Sequence, residues 1–186
     1  QALLLYALGR SPHDRAWLIA HDGDALPPAA QPTWSTLLAR RLAGEPMAYL
    51  LGHQEFFGLD LRVDSRVLVP RPDTETLVQW ALDLLPGLGA APRVLDLGTG
   101  SGAIALALAS RRPGLDITAT DASPGALAVA QANTRALGLT VRFAAGRWLE
   151  AVPGQTFDLI VSNPPYIAEG DPHLPALAHE PGSALV

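Results

Sequence analysis

The chain has 186 residues, with 13 basic and 18 acidic side chains and a formal net charge of −5. This length allows one domain of ordinary size, or a small domain beside a medium one. The absence of cysteine excludes a disulfide framework, a zinc–thiolate site and a cysteine nucleophile. No apolar stretch approaches the ~20 residues that a membrane helix needs, and the start does not resemble a signal peptide. There is no basic tract, so nucleic acid is not the favoured ligand.

The first third of the chain has the pattern of short helices. Ser11-Pro12 indicates a helix start, with serine as the cap and proline at the first helical position. Thr33 can cap a longer helix that follows a connection rich in proline and alanine. Trp17 and Trp34 lie in these two helices, and we predict that both are core residues. The sequence thus predicts a small helical domain over residues 1–46.

A connecting segment with a β-hairpin is predicted over residues 47–73. Apolar and polar side chains alternate over residues 59–64, which is the period of a half-buried strand. Asp64-Ser65 is a turn signal, and Val67–Val69 is predicted as the second strand of the hairpin.

A helix is predicted to begin at Asp73 or Thr74. Arg71 and Glu75 flank this start, where they could pair with each other or line a ligand cleft. One face of the helix carries four apolar residues, which we expect to face the core: Leu77, Trp80, Ala81 and Leu84.

Strands and helices alternate from residue 93 onward. The predicted strands are 93–97, 115–120, 140–144 and 157–162, and the intervening helices include 102–111 and 124–137. Such alternation predicts right-handed βαβ units and a parallel sheet, hence an α/β fold. Four strands form only part of such a sheet, so we expect the domain over residues 74–186 to be C-terminally incomplete.

A glycine-rich turn follows the first of these strands and indicates a nucleotide-type ligand. Gly98, Gly100 and Gly102 allow a tight turn and close approach of the backbone to a ligand. Asp121 ends the next strand, where its carboxylate can accept hydrogen bonds from both hydroxyls of a ribose. Both features lie outside the carboxyl ends of the strands, which is where such sheets bind ligands.

The identity of the residues around this turn favours S-adenosylmethionine. The glycine spacing fits a dinucleotide fingerprint poorly, and a triphosphate loop would need a lysine, which the chain lacks. Asp96, just before the turn, would repel phosphates but attract a cation. S-adenosylmethionine has no phosphate and carries an ammonium and a sulfonium, so the acidic residues suit it.

The segment Asn163-Pro164-Pro165-Tyr166 follows the fourth strand on the same rim of the sheet. The two prolines fix the backbone and remove two donors, which leaves carbonyl oxygens and the Asn163 side chain. The Asn163 amide oxygen and the Pro164 carbonyl can together accept hydrogen bonds from a planar NH₂ group, and Tyr166 can stack against it. Alignment of that nitrogen with the methyl group is then the main source of rate. We therefore predict in-line methyl transfer to a planar nitrogen, without a metal.

The chain resembles the peptide chain release factor N5-glutamine methyltransferases, the HemK/PrmC family, over nearly its whole length. The resemblance rests on five segments: Arg41–Gly52, Glu55–Leu59, Val67–Glu75, Asp96–Gly102 and Asn163–Ile167. It implies an enzyme with a Rossmann-like class I S-adenosylmethionine-dependent methyltransferase sheet and a small N-terminal helical domain. The implied reaction methylates the side-chain amide nitrogen of the glutamine in the Gly-Gly-Gln motif of release factors.

The resemblance also implies roles for individual residues. The cofactor would be bound by the following set: Gly98, Thr99, Gly100, Ser101, Gly102, Asp121, Trp148 near the adenine, and Asn163. The substrate glutamine would be bound by Asn163, Pro164, Pro165 and Tyr166, of which Asn163, Pro164 and Tyr166 are the predicted catalytic residues. The helical domain would help to dock the release factor. We expect a cytoplasmic monomer that binds neither nucleic acid nor membranes.

Three other functions are left open by the sequence. An amino-methyltransferase acting on adenine N6 of nucleic acid would share the fold, the cofactor and the Asn-Pro-Pro-Tyr segment. Such an enzyme is expected to have a basic face, which is not evident in this sequence. A second alternative methylates a glutamine of a ribosomal protein. The third is a non-catalytic module that docks on the translation apparatus, in case the incomplete domain does not bind the cofactor.

Overall fold

A computed structural model describes all 186 residues of the chain. The chain forms two compact units, Gln1–Gly52 and His53–Val186. No helix in the structure combines the length and the apolar character that crossing a membrane requires.

The first unit consists of four helices. These are α1 (Ala2–Ala7), α2 (Arg15–Ala20), α3 (Gln31–Leu42) and α4 (Met47–Leu51). Leu3, Leu37 and Leu50 form its buried core, and the half-buried Trp34 packs against them. The α4 helix, whose sequence falls in the predicted connecting segment, contributes Leu50 to this core and belongs to the unit.

Two predicted helix starts in this unit differ from the structure. The second helix begins at Arg15 rather than at Pro12, because the Asp14 carboxylate accepts a hydrogen bond from the Trp17 amide at 3.2 Å. Ser11 makes only a long contact to the His13 amide, at 3.4 Å. The third helix begins at Gln31, before the predicted cap Thr33. A carboxylate is the stronger acceptor for an exposed helix N–H, which explains the later start of α2.

The second unit begins with a hairpin of β1 (His53–Phe56) and β2 (Leu59–Arg62), which pair antiparallel in the register Phe56↔Leu59. The sequence had predicted that the strand beginning at residue 59 pairs with 67–69. This was wrong, because 67–69 forms no strand and the partner of β2 is β1. Phe57 and Gly58 both have positive φ, 52° and 81°, which is the conformation of a tight two-residue hairpin turn. The segment 67–69 is apolar because Val67 and Val69 are buried, not because it pairs in a sheet.

The remaining elements of this unit build the predicted parallel sheet. They are α5 (Thr74–Leu84), β3 (Arg93–Leu97), α6 (Ala103–Arg111), β4 (Asp116–Asp121), α7 (Pro124–Leu137), β5 (Arg142–Ala145) and β6 (Leu159–Ser162), with short 3₁₀ turns between and after them. The strand order is β5-β4-β3-β6, and all pairs are parallel. The α/β fold predicted from the alternating pattern is confirmed.

The core of the second unit lies around β3 and α6. Both Val94 and Leu95 are fully buried, and every residue of 103–109 is buried. The alanines of α6 let it lie close to its neighbours, and α5 packs against it. Trp80 is 64% exposed, so its prediction as a core residue was wrong. Leu84, also expected to face the core, is 45% exposed, whereas Ala81 is buried as expected and is joined by Val78.

Candidate active site

A cavity of about 390 Å³ opens at the carboxyl ends of β3, β4 and β6. This volume is within the range of sites that bind ligands of cofactor size. Its lining comes from Phe56, the glycine turn after β3, the loops after β4 and β5, the segment after β6, and two further segments, 66–74 and 181–186. Neighbouring parallel strands end at one edge, which explains why these parts of the sequence meet.

The glycine turn forms one wall of the cavity. Gly98 and Gly100 have positive φ, +72° and +57°, and a side chain at either would stand in open space. Thr99 and Ser101 also line the cavity. The turn is held to β4 because the amides of Gly98 and Thr99 both donate to the Thr120 carbonyl at 2.9 Å. The backbone of the turn is thus fixed, and Gly98 and Gly100 leave it accessible to a ligand.

Gly102 has a different position from the other two glycines. It does not line the cavity, and a Cβ atom there would lie 2.9 Å from Leu106 Cδ1 and 3.3 Å from Ala130 Cβ. Glycine at this position therefore allows close packing of α6 and α7 behind the turn. Its predicted contact with a cofactor stays a prediction, and the packing requirement is what the structure adds.

Asp121 lies at the end of β4 and lines the cavity. Its Oδ2 accepts a hydrogen bond from the Gly100 amide at 2.9 Å, and its Oδ1 accepts one from the Ser123 amide at 2.8 Å. Each carboxylate oxygen can still accept a further bond. The side chain therefore fixes the glycine turn and can also accept from a pair of adjacent hydroxyl groups.

Asp96 lies behind the glycine turn and does not line the cavity. Its Oδ2 accepts from the Thr99 hydroxyl at 2.7 Å and from the Ala105 amide at 3.2 Å, whereas Oδ1 has no hydrogen-bond partner. Complete burial raises the pKa of Asp96 to about 6, and these two hydrogen bonds oppose that increase. Asp96 therefore connects the turn to α6 and does not present its charge to the cavity, contrary to the expectation that it attracts a cationic ligand.

The Asn-Pro-Pro-Tyr segment begins where β6 ends. The Ser162 hydroxyl donates to the Leu97 carbonyl at 2.8 Å, which ties the end of β6 to the start of the glycine turn. Asn163, Pro164 and Pro165 line the cavity. The Asn163 amide donates through Nδ2 to Thr74 Oγ1 at 3.4 Å. The predicted amide-binding segment and the predicted cofactor turn thus line the same cavity.

A second cavity, of about 260 Å³, is also lined by part of this segment. Tyr166 lines the second cavity and not the first, and it is 81% exposed. Six residues line both cavities and form the wall between them: Leu68, Arg71, Thr74, Asn163, Pro164 and Ala184. Asn163 therefore lies at the junction of two cavities of different character, of which only the first has the glycine turn and Asp121.

Trp148 and Arg147 lie at the rim of the first cavity, after β5. Trp148 is 62% exposed and has a φ of +50°, which is unusual for a residue with a side chain. An exposed indole at the mouth of a ligand cavity offers a flat surface for a planar group, and its contact with an adenine stays a prediction.

Glu180 lines neither cavity but supports the segment 69–71 beside them, a role that the sequence did not reveal. Only 2% of its side chain is exposed; Oε2 accepts from the Val69 amide at 3.0 Å, and Oε1 accepts from the Arg71 guanidinium. Of the two possibilities left open for Arg71 and Glu75, the pair does not form, because Glu75 accepts from the Phe57 amide at 2.9 Å, whereas Arg71 lines the cavity. An acidic residue in an apolar tail indicates that it has a specific partner. The partners of Glu180 are more than a hundred positions away in the chain, so no spacing rule predicts them.

Asn133 is a second residue that pattern reasoning missed. It is buried on α7, accepts from the Arg62 amide at 2.8 Å, and donates to the carbonyls of Arg62 and Ser101. It therefore links the hairpin strand β2 to the glycine turn. A lone asparagine on a helix gives no sequence signal for this role.

The cavity fits S-adenosylmethionine in two respects. Gly98 and Gly100 leave the backbone of the turn open to close approach by a ligand, and Asp121 offers acceptors for the hydroxyls of a ribose. A parallel sheet with this site is that of an S-adenosylmethionine-dependent methyltransferase.

Comparison with known proteins identifies the family. Residues 74–180 match the methyltransferase small domain, and residues 1–52 match the PrmC N-terminal domain. The chain is 58% identical over 183 residues to the release factor glutamine methyltransferase of Bordetella pertussis. This match covers 97% of this chain and 66% of that protein. For the enzyme of the same name from Xylella fastidiosa the identity is 51% over 189 residues, covering 100% and 67%. The chain belongs to the release factor glutamine methyltransferase family, and spans about two thirds of the length of these relatives.

A solved structure supports the fold. A methyltransferase from Agrobacterium tumefaciens, described as dependent on S-adenosylmethionine, matches with a TM-score of 0.52 and 21% identity. The match covers 62% of this chain and 40% of that one. At this identity the likeness concerns the fold alone.

Proposed function

We propose that the protein transfers a methyl group from S-adenosylmethionine to the side-chain amide nitrogen of a glutamine in the Gly-Gly-Gln motif of peptide chain release factors. The observation that carries the proposal is the position of Asn163 in the wall between the two cavities. An amide bound there would face the cofactor cavity on one side and come from the second cavity on the other. The names of the relatives support the release factor as the substrate.

The residues of the first cavity would hold the cofactor, which supplies the methyl group. In this proposal the backbone of 98–101 surrounds its methionine part, and Asp121 accepts hydrogen bonds from the ribose hydroxyls. Trp148 covers the adenine at the rim. Because Asp121 also accepts from the Gly100 amide, one carboxylate would align the turn and the ribose together.

Asn163 and Pro164 would hold the substrate amide by its two N–H groups. The Asn163 Oδ1 and the Pro164 carbonyl accept these hydrogen bonds, which raises electron density on a nitrogen whose lone pair is otherwise delocalised. As the N–C bond forms and the S–C bond breaks, the nitrogen loses one proton to solvent. No strong base is required, because that proton becomes acidic only as the new bond forms. Alignment of the reacting atoms is then the main contribution of the protein.

The second cavity would receive the chain around the glutamine. Apart from the shared wall, its lining includes four apolar side chains, which suits the aliphatic part of a glutamine side chain: Leu77, Ile167, Leu177 and Leu185. Tyr166 at its exposed side would stack against the substrate. This assigns Tyr166 to the substrate rather than to the cofactor.

The division of labour between parts of the chain is also a proposal. Residues 1–52 would help to dock the release factor, 53–73 would connect the two parts, and 74–186 would bind the cofactor and the glutamine. We further infer that the protein works as a monomer in the cytoplasm and does not bind nucleic acid.

The test is a methyl-transfer assay with labelled S-adenosylmethionine on the full-length protein. Purified release factor, the same factor with its Gly-Gly-Gln glutamine replaced by alanine, and duplex DNA are offered in parallel. Label on the unaltered release factor alone is the expected result. Label on DNA would identify an amino-methyltransferase of nucleic acid, and label on none would overturn the release-factor assignment.

A further inference from the structure

The side-chain amide of Asn163 has two ends, and only one of them can serve the proposed reaction. The oxygen end accepts hydrogen bonds, whereas the NH₂ end only donates them. A substrate amide that presents its own NH₂ group needs the oxygen end. The two ends have nearly the same shape, so packing does not decide which of them faces the substrate, and a hydrogen-bond partner must.

Thr74 is the residue that contacts the NH₂ end. Its Oγ1 lies 3.4 Å from Asn163 Nδ2, while Asn163 Oδ1 makes no hydrogen bond within the chain. Thr74 and Asn163 both belong to the wall between the two cavities. We propose that Thr74 is a positioning residue for Asn163, whose hydroxyl holds the NH₂ end and leaves Oδ1 to accept from the substrate.

A hydroxyl group suits this task. It rotates freely, so it can act as the acceptor for Nδ2 whenever the substrate occupies Oδ1. A hydrogen bond donated by the NH₂ end also polarises the amide and makes its oxygen a better acceptor. The distance of 3.4 Å is long, and contacts of this kind often shorten when the substrate binds.

The place of Thr74 is fixed by the chain on both sides. It is the first residue of α5, and its amide donates to the Arg71 carbonyl at 3.0 Å. The preceding segment is anchored by the buried Glu180, which accepts from the Val69 amide and from the Arg71 guanidinium. A buried carboxylate with both oxygens engaged is costly to displace, so the segment that carries Thr74 has a firm support.

This inference rests on the proposed function and is tested with three variants of the full-length protein. Thr74→Val keeps the shape of the side chain but removes the hydroxyl that accepts from Asn163, and Thr74→Ala removes the hydroxyl as well. Thr74→Ser is the matched control, because it keeps the hydroxyl. We measure kcat and KM with the release factor, the Kd for S-adenosylmethionine by calorimetry, and thermal unfolding as a check of the fold.

The expected result is a selective loss of turnover. Thr74→Val and Thr74→Ala should lower kcat by about tenfold, the equivalent of one lost hydrogen bond, with the cofactor Kd unchanged within about twofold. Thr74→Ser should keep kcat within about threefold of the original. Equal kcat in all variants would overturn the inference, and so would an equal loss with serine. A parallel loss of cofactor affinity would make Thr74 a cofactor contact instead.

A second readout does not depend on activity. The NH₂ resonances of Asn163, identified by their loss in Asn163→Ala, report hydrogen exchange with water in the protein without substrate. Exchange should be several-fold faster in Thr74→Val than in Thr74→Ser. If the release factor is not methylated but this difference is present, the proposed function fails and the Thr74 contact stands. If exchange is the same in all variants, the inference fails whatever the activity.

Discussion

Two aspartates at neighbouring strands of the sheet have opposite environments. Asp121 lies at the end of β4, lines the cavity, and accepts one backbone N–H on each oxygen. Asp96 is fully buried in β3 and has one oxygen without a partner. The first arrangement supports a negative charge that faces a ligand. The second penalises the charge, so the two residues are suited to different tasks.

The burial of Asp96 predicts a dependence of stability on pH. Its pKa is about 6 in the folded chain against 3.8 in the reference state, so the folded state binds more protons between these values. The stabilising contribution is therefore present at pH below about 4 and is lost as the pH rises to about 6. Since one pKa unit is worth about 1.4 kcal/mol, the loss is roughly 3 kcal/mol.

The measurement for this prediction compares the original protein with Asp96→Asn, which mimics the protonated side chain at every pH. The difference between their free energies of unfolding, from urea titrations at pH 4 and pH 7, should move by roughly 2 kcal/mol in favour of the variant, because the unfolded carboxyl is already partly ionised at pH 4. Other carboxylates titrate in both proteins and cancel in the difference. A difference that does not change with pH would contradict the raised pKa.

Replacement of Asn163 should lower turnover, whereas replacement of Asp121 should lower cofactor affinity. Asn163→Ala should lower turnover roughly 100-fold, because the substrate nitrogen is no longer aligned, while cofactor affinity changes little. Asp121→Ala should weaken cofactor binding about 100-fold, because it removes charge-assisted hydrogen bonds and releases the Gly100 amide. Steady-state kinetics and calorimetry separate the two effects. Normal turnover in Asn163→Ala would refute the amide-binding mechanism.

At the scale of elements, the glycine turn connects β3 to the start of α6 and is hydrogen-bonded to the end of β4. Its amides donate to the Thr120 carbonyl and to Asp121, and the buried Asn133 donates to the Ser101 carbonyl. The turn, which joins β3 to α6, is thus held in place by the end of β4 and by α7. The glycines of the turn have two uses, since Gly98 and Gly100 face open space and Gly102 faces packed side chains.

Replacing these glycines by alanine should therefore have different effects at positions 100 and 102. Gly100→Ala and Gly102→Ala both place a side chain at positive φ, +57° and +87°, so each carries a backbone strain of about 1–2 kcal/mol. Gly102→Ala must also displace Leu106 and Ala130, which should lower the free energy of unfolding by a further 1–3 kcal/mol, approximately. Gly100→Ala should instead weaken cofactor binding. Urea unfolding and calorimetry measure these effects, and equal stability of the two variants would contradict the packing argument.

At the scale of the whole molecule, the chain divides into two compact units, and all residues that line the two cavities belong to His53–Val186. The first unit has its own core, formed by residues of α1, α3 and α4. Cofactor binding and release-factor docking are therefore expected to be separable properties.

Deletion of residues 1–52 from the full-length protein tests this separation. The Kd for S-adenosylmethionine should stay within about threefold, whereas methylation of the release factor should fall by more than about tenfold. A short peptide that contains Gly-Gly-Gln is the control substrate, and its methylation should fall less. Circular dichroism verifies that the shortened protein is folded. Unchanged methylation of the release factor would refute a docking role for the first unit.

The sequence was least informative where residues far apart in the chain meet. Arg71 pairs with Glu180 rather than with the nearby Glu75, because the tail folds back against the segment before α5. The strand expected at 67–69 is a loop with buried valines, because a short apolar run looks the same in a strand and in a packed loop. Local patterns do not encode such partners.

The sequence by itself determined the α/β alternation, the glycine turn, the acid after the second strand of the sheet and the Asn-Pro-Pro-Tyr segment, because each of these depends on local periodicity or on residues close together in the chain. Only the tertiary structure decided which faces are buried, as Trp80 illustrates, and which groups meet at the cavity wall. The contacts of Asn163 with Thr74, and of Glu180 with Val69 and Arg71, join distant segments. They arise because parallel strands end at one edge of the sheet and bring those segments together.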